Sequence, residues 1–180
     1  MTPRFDPTRA VIFDLARGQL RDDEGAARLN LPASLVLRLC EAAGAGGAGD
    51  FARGLGAELG RRVSDRLGAG SGSVEAWAEH LGGQLALLGL GSLRLERWGR
   101  ALVLRVTGAP REFVPLLGGV LEGALARGLS RESSLVDFSA DEAVSFLVLS
   151  LATAGRARAL RDSGQALGQV VEGLHQGASS

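Results

Sequence analysis

The stretch Phe113–Leu129, FVPLLGGVLEGALARGL, constrains this chain more than any other. It predicts one helix with a glycine spine. Gly119 and Gly123 are four residues apart and Ala126 follows three later, so all three fall on one face. Leu116, Leu117, Val120, Leu121 and Leu125 cover most of the remainder. A helix that is apolar nearly all round belongs in a core. Glycine costs about 1 kcal/mol against alanine inside a helix, so a pair at this spacing marks close backbone approach.

With 180 residues the chain is long enough for one domain with a real core, or one domain plus appendages. Its formal net charge is zero, which argues against a general nucleic-acid or anionic-membrane binder, since both need a cationic surface. All twenty basic residues are arginine, tyrosine is absent, and there are 27 glycines, a bias expected of a GC-rich coding sequence. Cys40 is alone, so neither an intramolecular disulfide nor a cysteine metal cluster is expected. No run is long enough to span a bilayer, and MTPRFDPTR lacks the apolar core of a signal peptide. The expectation is a cytoplasmic protein.

Residues 1–8 read as a loose arm. Val11–Leu15, Gln19–Arg21 and Arg28–Leu31 predict three short strands, giving a small β element over 9–31 with Asp22-Asp23-Glu24 as turn acids. Pro32 opens a helix to Ala43 with Leu35, Val36 and Leu39 on one stripe. GAGGAG, 44–49, then reads as a break, and Asp50 as the cap of a helix 51–67 that turns Phe51, Leu55, Leu59, Val63 and Leu67 inward. Gly56 and Gly60 mark a second close-packing face, while Arg61, Arg62, Asp65 and Arg66 read as solvated. Gly68–Gly72 is a loop without the lysine of a phosphate-binding loop. Ser73 caps a helix to about Leu88 with Trp77, Leu81, Leu85 and Leu88 on one stripe and Gly82-Gly83 inside it.

Alternation over Ser92–Arg97 and Leu102–Val106 predicts a hairpin, and the glycine helix follows it. Ser134–Phe138 and Ala143–Leu151 predict a second hairpin, with Asp141-Glu142 as turn acids and an apolar last strand in the centre of the sheet. Over 152–180, Leu160, Leu167, Val170, Val171 and Leu174 recur at helical spacing, which predicts a docked amphipathic helix or a partner-binding tail.

Catalytic patterns are missing. His80 and His175 have no ligand-spaced company, and Glu79 and His80 are adjacent and point to different helix faces. Cys40 reads as a buried thiol on a core helix. No nucleophile elbow or dinucleotide fingerprint occurs, and Gly89-Leu90-Gly91 precedes a strand instead of following one. The expectation is a protein that is not an enzyme and carries no metal or cofactor.

The order helix, helix, helix, hairpin, glycine helix, hairpin resembles the fold of the transport protein particle (TRAPP) subunits, shared with bacterial 4-vinyl-reductase-like, "hydrocarbon-binding" domains. Two stretches carry the resemblance. LLGGVLEGALA, Leu116–Ala126, is similar to the superfamily's apolar Gly-x-x-x-Gly helix leading into two strands. LGAELGRRV, Leu55–Val63, is similar to its first long helix. The match spans residues 50–151, within a domain drawn as 32–151 between an arm, 1–31, and a tail, 152–180. It implies an α/β fold of the α+β kind, with helices on one face of a small, mostly antiparallel sheet.

The resemblance also implies a dimer-forming scaffold, or a domain with an apolar pocket for an acyl or other hydrophobic ligand. Leu116, Leu117, Gly119, Val120, Gly123 and Ala126 would form either that pocket's wall or a close-packing face. The chain departs from relatives in three ways. The cysteines that many bacterial members carry around the last hairpin are absent from 134–151. The Tyr-x-Ser-x-Arg motif of haem-binding members is absent. Cys40 precedes the first long helix, whereas palmitoylated members carry their cysteine after it, so acylation is not implied. The expected function is a non-catalytic interaction module of a bacterial cytoplasmic complex. It would be a homodimer through the 50–88 helices or the N-terminal β element, with Leu160, Leu167, Val170, Val171 and Leu174 free for another protein. The alternative is a sensor or carrier of a lipid-like molecule between the glycine helix and the sheet.

Overall fold

A computed structural model of the chain describes residues 5–8, 10–68, 73–140 and 143–176. The elements in order are the strands β1 (Val11–Asp14) and β2 (Gln19–Asp22) and the helices α1 (Ala33–Leu67) and α2 (Val74–Leu87). Strands β3 (Ser92–Trp98) and β4 (Ala101–Thr107), helix α3 (Val114–Gly128) and strands β5 (Ser134–Ala140) and β6 (Ala143–Leu149) follow. The helices α4 (Leu151–Asp162) and α5 (Leu167–Gln176) end the series. This is the α+β class that the sequence predicts, with the run hairpin, glycine helix, hairpin in the expected order.

Local chemistry sets the helix ends. Pro115 lies in the first turn of α3, where its missing N–H costs nothing. The Ser73 hydroxyl accepts from the Ala76 amide at 3.1 Å and caps α2. Past the other end of α2, Gly89 takes φ +71°, and the Leu90 amide reaches back to the Leu85 carbonyl at 2.9 Å. That turn carries Leu90 into the core.

The glycine faces of α1 and α3 interlock. The two helices run in the same direction, with Gly56 against Val120, Gly60 against Ala124 and Gly123 against Arg53. In each case a Cβ on the glycine would strike the partner's backbone. A Cβ on Gly119 would come 2.9 Å from the Cβ of Ala52. The Ser64 hydroxyl closes the seam by donating to the Gly128 carbonyl at 2.5 Å, satisfying an orphan carbonyl at the end of α3.

Strand order in the sheet is β3-β4-β6-β5, antiparallel throughout, so the apolar β6 is central as its composition predicts. Leu104, Val106, Val144 and Phe146 face α1, α2 and α3 in the main core. Val103, Val136 and Leu147 point the other way and pack with Ala157, Leu167, Val170 and Val171. Helices α1 to α3 thus share one face of the sheet, and α4 with α5 cover the opposite one.

Several expectations are corrected. Arg28–Leu31 is not a strand; only an isolated bridge joins Arg21 and Ala27, because Gly25 turns the chain tightly and the segment then leaves the hairpin. The break in the first helical region is a single residue, Gly44 (φ 71°, ψ 173°), and Gly46–Gly49 are helical. Asp50 is therefore inside the helix and caps nothing; its carboxylate takes Arg53 at 2.8 Å. Strand β6 stops at Leu149, since Leu151 already opens α4. The tail forms two helices, because Gly164 at φ +88° reverses the chain between them. The loop positions 69–72, the turn acids Asp141 and Glu142, and the chain ends 1–4 and 177–180 lie outside the described residues.

Candidate functional site

An apolar pocket of about 300 Å³ opens between α1, the end of α2 and the first turns of α3. Its floor is core: Ala52, Leu117, Val120, Phe113 and Leu90 are all buried. Leu55, Val36 and Leu116 form half-buried walls. The mouth is rimmed by Leu29 (85% exposed), Leu31 (46%), Phe51 (49%) and Leu88 (40%). Apolar side chains around a hollow are the lining that small-molecule sites use.

The glycine seam and the pocket adjoin. Gly56 lets α1 meet the α3 backbone at Val120, and the side chains of Phe51, Leu55, Leu116 and Val120 line the hollow beside that contact. The Gly89 turn then aims Leu88 and Leu90 at the same place.

The outer wall is the weakly held part. Residues 29–36 form it, and across 33–43 no residue is fully buried. Gly44 separates this segment from the long, well-packed half of α1, and a Cβ there would meet nothing within 4 Å, so the positive φ alone calls for glycine. Amide exchange over residues 33–43 is expected to be at least about tenfold faster than over 51–67. Equal protection on both sides of Gly44, measured by mass spectrometry, would show that the wall is fixed.

The sequence-predicted candidates divide. Leu116, Leu117 and Val120 line the pocket. Gly119 and Gly123 lie on the α1 seam, and Ala126 is exposed. Leu160, Leu167, Val170, Val171 and Leu174 pack on the chain's own sheet, so their helical spacing is that of a docked helix pair. Phe51 is exposed at the pocket mouth and is not turned into the core. Phe51, Leu29, Leu31, Leu87 and Leu88 belong to the pocket and the sequence reading missed them. Leu88, read as the last member of the inward α2 stripe, is exposed at the mouth, and the available signal was the excess of leucine at 29, 31, 87 and 88.

A buried ion cluster fastens the N-terminal hairpin below the pocket wall. Asp22 is 1% exposed. Its carboxylate accepts from the Ala26 amide at 2.7 Å, from Arg28 Nε at 3.1 Å and from Arg62. Burial works to raise its pKa, but the Arg62 hydrogen bond, the Ala26 amide and the two guanidinium charges outweigh it and hold the carboxyl below its ordinary range. Glu58, hydrogen-bonded by Arg61 and Arg62, is lowered to about 2. Arg66 takes Asp23 at 2.6 Å. Arg62 and Arg66 are thus covered by the hairpin and are not the solvated face that the sequence suggests. Asp22, read there as a plain turn acid, is a buried ion.

His80 is 2% exposed on α2, its ring perpendicular to that of Phe5 at a centroid distance of 6.1 Å, while its neighbour Glu79 is exposed. Cys40 is half-buried. Among the described residues no three His, Cys, Asp or Glu side chains gather as a metal site would require, and no helix is long and apolar enough to cross a membrane.

The architecture is that of a small α+β domain. Among solved structures, a similar fold occurs in the phenol-responsive sensory domain of the transcription activator PoxR, determined with phenol, at a TM-score of 0.56 and 12% identity, covering 78% of this chain and 85% of that one. At this identity the likeness is one of fold. No protein-family profile and no curated protein matches the chain.

Proposed function

We propose that this chain is a cytoplasmic sensor or carrier module that holds a hydrophobic small molecule in the pocket between α1, α2 and α3. The observation that carries the reading is the pocket itself: a buried carbon floor, an exposed carbon rim and a volume at the lower end of the range for small-molecule sites. The likeness to a phenol-responsive sensory domain determined with phenol supports it, because a similar fold there serves a small-molecule response. The proposed site lies among the helices beside the glycine helix; a further hollow, lined by Val114, Gly118, Leu135 and Phe146, lies between that helix and the sheet, where the sequence expects a ligand. The element order supports kinship with the 4-vinyl-reductase-like domains, which we keep as part of the proposal.

Native mass spectrometry of the protein as purified, and after incubation with 1-octanol, tests the reading. Leu116→Trp, which puts an indole into the pocket from a half-buried wall, is expected to weaken octanol binding at least tenfold. Its melting temperature should stay within about 4 °C of the parent, the scale of a 1 kcal/mol change. Undiminished binding to this variant would place the ligand elsewhere.

A second reading, the homodimeric interaction module, rests on the hairpin. Ile12, Phe13 and Leu15 are 54%, 65% and 89% exposed, and alternation puts Ile12 and Phe13 on opposite faces of a two-stranded ribbon. Light scattering between 1 and 100 μM is expected to give twice the chain mass, and Phe13→Asp to return it to one. A monomer mass throughout would remove the dimer.

A further inference from the structure

The geometry points to a ligand that carries no charge, an inference that rests on the pocket's being a binding site. Every side chain lining the pocket is carbon except that of Asn30, which is exposed on the rim. The guanidinium groups next along the chain are engaged: Arg28 holds Asp22 at 3.1 Å and Arg53 holds Asp50 at 2.8 Å. The backbone amides of the α2 turn are also taken. Leu88 donates to Gln84 and Leu85, Gly89 to Ala86 at 3.0 Å, and Leu90 to Leu85 at 2.9 Å.

One polar feature remains, the first turn of α1. Pro32 offers it no side-chain cap, and Ala33 reaches the pocket. A helix end favours an adjacent exposed anion by no more than about fivefold. Taking a carboxylate into a carbon-lined cavity without a counter-ion costs it well over a hundredfold, so burial decides. Leaving the charged head at the mouth does not rescue it, because Leu31, Phe51 and Leu88 surround that position with carbon and, among the described residues, no arginine side chain lines the pocket. A hydroxyl, carbonyl or ester oxygen accepts from the helix amides without the ionic penalty. The ligand class is therefore an alcohol, un-ionised phenol, ketone, ester or hydrocarbon, and not a fatty-acid anion, a phosphate or an ammonium ion.

The test uses the full chain and three probes of one chain length: 1-octanol, octanoate and octylammonium, titrated by calorimetry between pH 5 and 8. Octanol is expected to bind with an affinity independent of pH, and at least about thirtyfold tighter than either ion at pH 8. Octanoate is expected to weaken about tenfold per pH unit between 6 and 8, as its neutral fraction falls. Octanoate or octylammonium within threefold of octanol at pH 8 overturns the class while leaving the pocket a binding site. No binding of any probe overturns both. Octanol binding that survives Leu116→Trp unchanged also overturns the inference, because the selectivity would then belong to another surface.

Discussion

Gly123→Leu is expected to lower the stability of the fold by at least about 3 kcal/mol. A Cβ at this position runs into the Arg53 carbonyl oxygen and lies 3.0 Å from the Ala57 amide. These are backbone atoms in the middle of α1, so no rotamer change relieves the overlap and the helices must separate. The seam they share is the long axis of the main core, with Val120, Leu121 and Ala124 packed along it at 2% exposure or less. Overpacking costs about 1–3 kcal/mol where side chains can yield, and more where backbone must move. Against a total stability of about 5–15 kcal/mol that is a large fraction. A sharper comparison uses two glycines of one helix. Gly54 is exposed and has nothing within 4 Å, so Gly54→Ala should raise stability by about 0.5–1 kcal/mol through helix propensity alone. Gly56, two residues on, meets the Val120 carbonyl, and Gly56→Ala should lower stability by at least about 2 kcal/mol. Circular dichroism melts of the two alanine variants should move in opposite directions; a shared direction would mean that the seam is open.

The glycine pattern was legible because it is a conflict between levels. A residue that weakens a helix and still recurs four apart in an apolar segment needs a tertiary reason, and close approach is the commonest one. The hairpins were legible for the opposite reason: alternation in Leu93–Arg97 and Leu102–Val106 agrees with strand propensity, and the register Leu93↔Val106 and Leu95↔Leu104 follows from it. The helix break at 44–49 was overread. Six small residues suggest flexibility, yet helix continues through Gly46–Gly49 because the next turns of α1 are held against α3; only Gly44 takes a conformation that needs glycine. The face of α4 and α5 was undecidable from periodicity, since an amphipathic stripe fits a partner or the chain's own sheet equally well. What decided it is the outward row Val103, Val136 and Leu147, residues on three strands brought together by a strand order that the sequence does not state.

The pocket was half legible. Leu116, Leu117 and Val120 belong to a periodic segment and declare themselves apolar and inward. Leu29 and Leu31 come from a loop, where periodicity carries no information, while Phe51 and Leu88 stand at stripe ends that periodicity turns inward and the structure leaves exposed at the mouth. Their convergence depends on the angle at Gly44 and on the turn at Gly89, each a single backbone conformation. Asp22 was missed for the same reason. As the last of a strand's four residues beside two further acids it reads as a solvated turn, and its partner Arg62 lies 40 residues away on α1.

Removing that carboxylate is expected to have the second large effect. Asp22→Ala strips the counter-ion from Arg28, whose side chain is 22% exposed, and leaves Arg62, at 17%, with Glu58 alone. It also removes the acceptor of the Ala26 amide that closes the turn. Breaking a buried pair by deleting one partner costs about 3–5 kcal/mol, chiefly because the remaining charge is left desolvated. The melting temperature should fall by roughly 6–15 °C, and amide exchange over 11–28 should rise first, since the hairpin loses its tether to α1. Asp22→Asn separates charge from shape, because the amide oxygen still closes the turn. The folded-state pKa of Asp22 lies below its ordinary value of 3.8, so its ionised form stabilises the fold. That contribution is fully present above the unfolded pKa, near pH 4, and is lost as pH falls through the lower folded value. The parent should therefore be more stable than Asp22→Asn at pH 6–7, and the gap should close on acidification below pH 4. Glu58 titrates in an overlapping window, between its ordinary 4.5 and about 2, but it is present in both proteins and largely cancels in the difference. Denaturant titrations of the pair at pH 7, 5, 4 and 3 measure that difference. A gap that stays constant down to pH 3 would mean that Asp22 acts in this fold as a turn acceptor and not as a buried charge.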